Sequence, residues 1–326
     1  MEKVIVKNKT ELKKIIKNSA NNADLNHLDV SNIKDMSYLF FGTKFNGDIS
    51  KWNVSKVENM YGMFSDSKFN GNISKWNTKN VTTMRCMFED SKFDQDISNW
   101  NTENVTDMSF MFAYSKFNQD ISKWNTSKVE TMEEMFYNSL FNKDLSNWNL
   151  ENVETTQSMF FESKFDQDIS NWNLSNVKNI SSMFAFSIFN QDISNWDVSN
   201  VKDMSELFQD SDFNQDISKW DVSNVTDMYQ MFSYSNFNQD ISNWNVSNVV
   251  NMYSMFEGSK FNQDISSWNV SNVKYMTKMF KDSNFNKNLS SWNLRSVEIM
   301  DDIFKGTPLD KKTEIKIVPS INYLGE

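Results

Sequence analysis

The chain has 326 residues, with 33 Lys and Arg against 43 Asp and Glu, a formal charge of -10 and an isoelectric point near 4.8. This balance disfavours nucleic acid and anionic membrane surfaces as partners, because such binding is driven by clustered Lys and Arg. The one cysteine, Cys86, excludes an internal disulfide framework and a cysteine-rich zinc site, and no segment approaches the roughly 20 apolar residues of a membrane span.

The N-terminal stretch MEKVIVKNKTELKKIIKN carries charges throughout and has no apolar run of signal-peptide length, and no lipobox cysteine follows it. The chain as given is therefore expected to carry no export signal. Residues 1–23 read as an N-terminal cap. Within it EKVIV is a strand, and NKTELKKIIKN is a helix with Asn8 and Glu11 in capping-box spacing and Leu12, Ile15 and Ile16 turned inward.

From 24 to 305 the chain repeats itself. All eleven Trp stand 24 residues apart, from Trp52 to Trp292, after a degenerate first coil with Leu28 in the Trp place. Phe recurs seven residues before each Trp, from Phe45 to Phe285, and twelve after it, from Phe64 to Phe304; Val stands five after it, from Val57 to Val297. The segment I-S-x-W-x-V predicts a short strand by its period of two. V-x-x-M-x-x-M-F predicts a short helix or helical turn. The expected fold class is an α/β solenoid of about twelve coils in which each large side chain packs on its own copy one coil away. With strands ~4.8 Å apart, the rod would be about 55 Å long. Residues 306–326 read as a C-terminal cap or tail, with EIKIV as a closing strand and both prolines, Pro308 and Pro319, beyond the repeat.

The repeated phrase D-I-S-x-W-x-V-S-N-V-x-x-M-x-x-M-F resembles that of the BspA-like leucine-rich-repeat surface proteins of bacteria, including lipoprotein-type variants. The resemblance covers about residues 24–305. It implies a leucine-rich-repeat-like solenoid used for adhesion or protein contact at a cell surface.

Two polar rows accompany the Trp column. Asn or Asp follows every Trp directly, including Asn101, Asn125, Asn149, Asn173, Asp197 and Asp221. This row offers donors and acceptors to sugar hydroxyls, or else forms a stacked amide ladder that serves the fold. Four residues before the Trp stands Asp, as at Asp48, Asp96, Asp120 and Asp264. Carboxylates stacked this closely repel by about 1 kcal/mol per neighbour, so turn amides, or alternatively calcium, must compensate them. Calcium needs about six to eight oxygens and usually a glycine-bearing loop, and these coils hold few glycines, so no metal site is expected. The Met rows, such as Met228 with Met231, read as core filler rather than a soft-metal box.

No cofactor and no catalytic constellation is expected. The single histidine, His27, lies in the degenerate first coil, and Cys86 has no second histidine to pair with. What varies between coils is the better guide to function. Tyr114, Tyr137, Phe161 and Phe186 fall at nearly equivalent places just past the M-F pair, where other coils carry mostly polar residues. They would form an aromatic ridge, a plausible contact for a protein partner, or fold back over the side of the solenoid; Tyr229, Tyr234 and Tyr253 would extend it. The expected function is a non-enzymatic interaction or adhesion scaffold, with glycan binding by the Asn and Asp row as the alternative.

Overall fold

Within each of two compact units the 24-residue coils are closed by tight turns and tied to their neighbours by hydrogen bonds. The computed structural model describes residues 3–310. The chain divides into two compact units, Met1–Asp168 and Ile169–Glu326.

The first unit opens with strand β1 (Val4–Ile5), which pairs in parallel with β2 (Leu28–Asp29), and between them runs helix α1 (Lys9–Asn18). Asn8 caps the helix by accepting from the Glu11 amide at 3.0 Å, while the Glu11 carboxylate reaches back to the Lys7 amide at 2.7 Å. Leu12 and Ile16 are buried, and Ile15 is half-buried. Helix and strand thus cover the end of the apolar column, as a terminal repeat requires.

Beyond this cap neither helix nor strand recurs among the described residues, which corrects the α/β reading of the coil. In I-S-x-W-x-V, Trp52 and Val54 do share the buried side. They are flanked by closed turns, with the Trp52 amide donating to the Ile49 carbonyl and that of Val57 to Val54. Parallel pairing is confined to single residues farther on, such as Asn59 with Thr83 and Thr83 with Asp107.

The expected helical segment is a run of turns. Met63 donates to the carbonyl of Met60 and Ser67 to that of Phe64, three residues back, while the amides of Met60, Gly62, Phe64 and Asp66 leave the coil for the carbonyls of Thr83, Arg85, Met87 and Glu89. Two residues per coil, ten and fourteen after the Trp place, adopt positive φ: twenty are non-glycine with φ between 46° and 59°, and the others are Gly42, Gly62, Gly258 and Gly306. A left-handed residue ends an α-helix, and two of them four residues apart leave no room for one. The buried spacing of Met60, Met63 and Phe64 arises equally well from such turns.

The core of the first unit is a set of ring columns. Trp52 and Trp76 stack with centroids 6.4 Å apart and planes within 3°. The Phe64, Phe88, Phe112, Phe136 and Phe160 rings follow one another at 5.6–5.8 Å. Each of these rings also packs on the Phe five residues later, as Phe112 does on Phe117 at 4.1 Å. The second unit repeats the pattern, with Trp196 and Trp220 6.3 Å apart and Phe232 and Phe256 5.6 Å apart. Removing each such ring from water contributes about 1.5–3 kcal/mol.

The Trp indoles, though buried, are not left unpaired: Trp76 Nε1 donates to the Ile49 carbonyl at 3.2 Å, and in the second unit Trp220 Nε1 donates to that of Ile193 at 3.1 Å. Met side chains are buried in both units, as at Met132 and Met228, while Met300 in the last coil is half-buried. The closing strand expected at EIKIV, together with Pro319, lies outside the described residues.

Candidate interaction face

The polar rows show where the chain spends its side-chain hydrogen bonds. The Oδ1 atoms of Asn101, Asn125, Asn149, Asn173, Asp197 and Asp221 each accept the backbone amide two residues on, at 2.8–3.1 Å. These are local Asx turns rather than the stacked amide ladder considered above. A ladder between coils does exist, but in the Asn or Asp that follows the Phe seven residues before each Trp: Asn46 Oδ1 accepts from the Asn70 amide at 2.7 Å, and Asn214 Oδ1 from the Asn238 amide at 2.9 Å.

The Asp row meets turn amides too. Asp48, Asp96, Asp120 and Asp264 accept the amide of the Ser two residues on at 2.8–2.9 Å, and this bond, with that from the Ser hydroxyl, holds their carboxyls below the ordinary 3.8. Because the folded values are depressed, these groups stabilise the fold above 3.8, and the contribution is lost as pH falls through 3.8 and then through the folded values. Asn fills the same turn at Asn72 and Asn288. Changing Asp96, Asp120 and Asp264 together to Asn is therefore expected to flatten the loss of stability on acidification, as measured by urea midpoints from tryptophan fluorescence across that pH range.

The variable positions lie in the run of turns. In the first unit Tyr114 and Tyr137 lie 5.1 Å apart, and Tyr137 stacks on Phe161 at 4.6 Å with planes within 6°. Tyr114 is 51% exposed, Tyr137 and Phe161 are half-buried, and Leu140, 50% exposed, stands where neighbouring coils carry Lys116 and Lys164. Burial, then Tyr114, pushes the Tyr137 phenol up to about 12. Glu134 is raised by burial and then by Glu133 and Glu89. Phe186 lies in the second unit, 40% exposed, two residues before the exposed Ile188. The structure thus brings Tyr114, Tyr137 and Phe161 into one stack, and Phe186 presents its ring within the other unit.

Sequence reasoning missed three features of this face. Leu140 and Ile188 replace a lysine of the repeat, a departure visible when the coils are aligned. Tyr38, Phe41 and Tyr61 form a second cluster, with ring centroids 5.6 and 4.7 Å from Tyr38, and Arg85 lies over the Phe110 ring at 4.9 Å. Of the noted extensions, Tyr229 and Tyr253 stack at 5.4 Å and Tyr234 is 54% exposed. Cys86 is half-buried, and burial, then Glu89, pushes its thiol up to about 12.

Coils of equal length, closed by turns and stacked through identical side chains, define each unit as a tandem-repeat solenoid. The model of a family described as Mycoplasma protein of unknown function, DUF285, matches residues 10–116, 68–164, 140–235, 161–260 and 211–316, so that overlapping copies cover nearly the whole chain. The chain belongs to this family. No curated protein matches it.

Proposed function

We propose that the protein is a non-enzymatic interaction scaffold whose contact surface is the turn face, with the aromatic ridge as its anchor. The observation that carries this reading is the stack of the exposed Tyr114 with the half-buried Tyr137 and Phe161, and the exposed Leu140 in the same coils, on a repeat whose corresponding positions are otherwise mostly polar. Aromatic side chains bring large contact area at small entropic cost and are enriched at interface centres. The resemblance to BspA-like leucine-rich-repeat surface proteins supports a protein partner met at a cell surface; Phe186 and Ile188 are exposed apolar positions of the second unit by itself.

The test changes Tyr114, Tyr137, Phe161 and Phe186 together to Ser. Affinity capture from cognate cell and host extracts is expected to lose the partner recovered by the parent chain, while tryptophan fluorescence keeps its folded signature. Recovery of the same partner in equal amount would exclude the ridge as the contact.

A further inference from the structure

A second feature of the turn face lies in the second unit. Tyr229, Asn251, Tyr253, Tyr275, Thr277 and Ile299 line a shallow hollow of about 200 Å³. Three tyrosines and an isoleucine make its wall largely apolar, and none of the lining side chains carries a charge at neutral pH. Asn251 is committed to that wall, since its Oδ1 accepts from the Tyr253 amide at 3.1 Å and its Nδ2 donates to Asp227 at 3.2 Å. Tyr253 stacks on Tyr229 at 5.4 Å and has the Lys278 ammonium 6.0 Å from its ring centroid.

Thr277 is the anomaly. Its side chain borders the hollow and is only 8% exposed, yet its Oγ1, among the described residues, is buried without a hydrogen-bond partner. A buried hydroxyl without a partner carries a desolvation penalty, and such groups call for an explanation. Rotation about Cα–Cβ, between ordinary staggered rotamers, can turn the hydroxyl toward a ligand in the hollow.

The geometry points to a binding site for one neutral pyranose ring, with Tyr229, Tyr253 and Tyr275 as its apolar wall and Thr277 as its hydrogen-bonding partner. The hollow is smaller than the ~300–1,000 Å³ of drug-sized pockets, which suits a single ring at the end of a glycan. An alkyl chain would leave the Thr277 hydroxyl unpaired, and an anion would find no cationic side chain in the lining itself, only the Lys278 ammonium against the Tyr253 ring. A sugar ring supplies both a C–H face for tyrosine and hydroxyls for threonine. This site is separate from the Asn and Asp row, and it does not rest on the ridge reading.

The experiment titrates the full chain with methyl α-D-glucopyranoside, methyl α-D-mannopyranoside and methyl β-D-galactopyranoside, read by saturation-transfer NMR. At least one glycoside is expected to receive transfer on its ring C–H protons, with a dissociation constant on the order of millimolar. Thr277→Val, which keeps the shape and removes the hydroxyl, and Tyr275→Ala, which trims a 39% exposed ring, are each expected to weaken binding about tenfold or more. The quadruple ridge variant is expected to bind the glycoside unchanged, so failure of the ridge and failure of this site are distinguishable. Absence of transfer to all three glycosides, or equal binding by both single variants, would overturn the assignment. So would saturation by a proline-rich peptide or an alkyl glycol in preference to the sugars.

Discussion

Replacing Phe136 by Ala is expected to destabilise its unit by about 3–5 kcal/mol, the range for deleting a fully buried Phe. The ring lies in the middle of its column, 5.8 Å from Phe112 and 5.7 Å from Phe160, and also packs on Phe141 at 4.3 Å and Trp148 at 6.3 Å. The cavity would be walled by coils pinned through their backbone ladders, such as the Phe136 amide to the Met159 carbonyl at 3.0 Å, and so would collapse little. Phe304→Ala serves as the comparison. Among the described residues that ring stacks on Phe280 alone, at 5.6 Å, and it is only half-buried, so its loss is expected to cost well under half as much. Urea unfolding followed by tryptophan fluorescence measures both. Equal costs for the two positions would show that the column does not carry stability in proportion to its ring contacts.

At Gln230 two substitutions are expected to act in opposite directions. The residue has φ 50° and donates its amide to the Tyr253 carbonyl at 2.9 Å. Proline cannot adopt positive φ and has no amide hydrogen, so Gln230→Pro is expected to cost about 3 kcal/mol or more. Glycine enters the left-handed region without the side-chain clash, so Gln230→Gly is expected to stabilise by up to about 1 kcal/mol once the extra freedom of the unfolded chain is subtracted. Gly62 and Gly258 already use this conformation, at φ 56° and 65°. There an added Cβ would also strike the Tyr38 or Tyr234 ring, at 2.6 or 2.4 Å. Thermal midpoints of the two Gln230 variants decide the matter, and a destabilised glycine variant would show that the side chain contributes more than its backbone strain costs.

The Gln230 prediction turns on one feature that was only faintly legible in the sequence. The ten- and fourteen-residue offsets at which φ is positive are occupied by glycine in a few coils, by Asp or Asn at Asp66, Asp90, Asn138, Asp210, Asp282 and Asp302, and elsewhere by residues as different as Ser158, Cys86, Glu134 and Tyr114. Gly and Asn mark left-handed turns, but Phe110, Tyr114 and Phe186 at the same offsets concealed the pattern, and the apolar spacing of the Met and Phe residues favoured a helix. The ridge was legible as aromatic departures from the repeat. Its extension by Leu140 was visible in the same way and overlooked, whereas the hollow around Thr277 depends on which side chains of neighbouring coils meet.

Read alone, the amino-acid order determined the period, the register of every Trp, Phe, Val and Met, their burial in columns, and the capped N-terminal end. A strict 24-residue recurrence of large apolar groups has no other way of leaving water than by stacking on its own copies. Only the tertiary structure decided how each coil closes. That choice depends on amide partners a full coil away, such as Gly62 with Arg85, and hydrogen bonds between coils displace the helical bonds that local spacing favours.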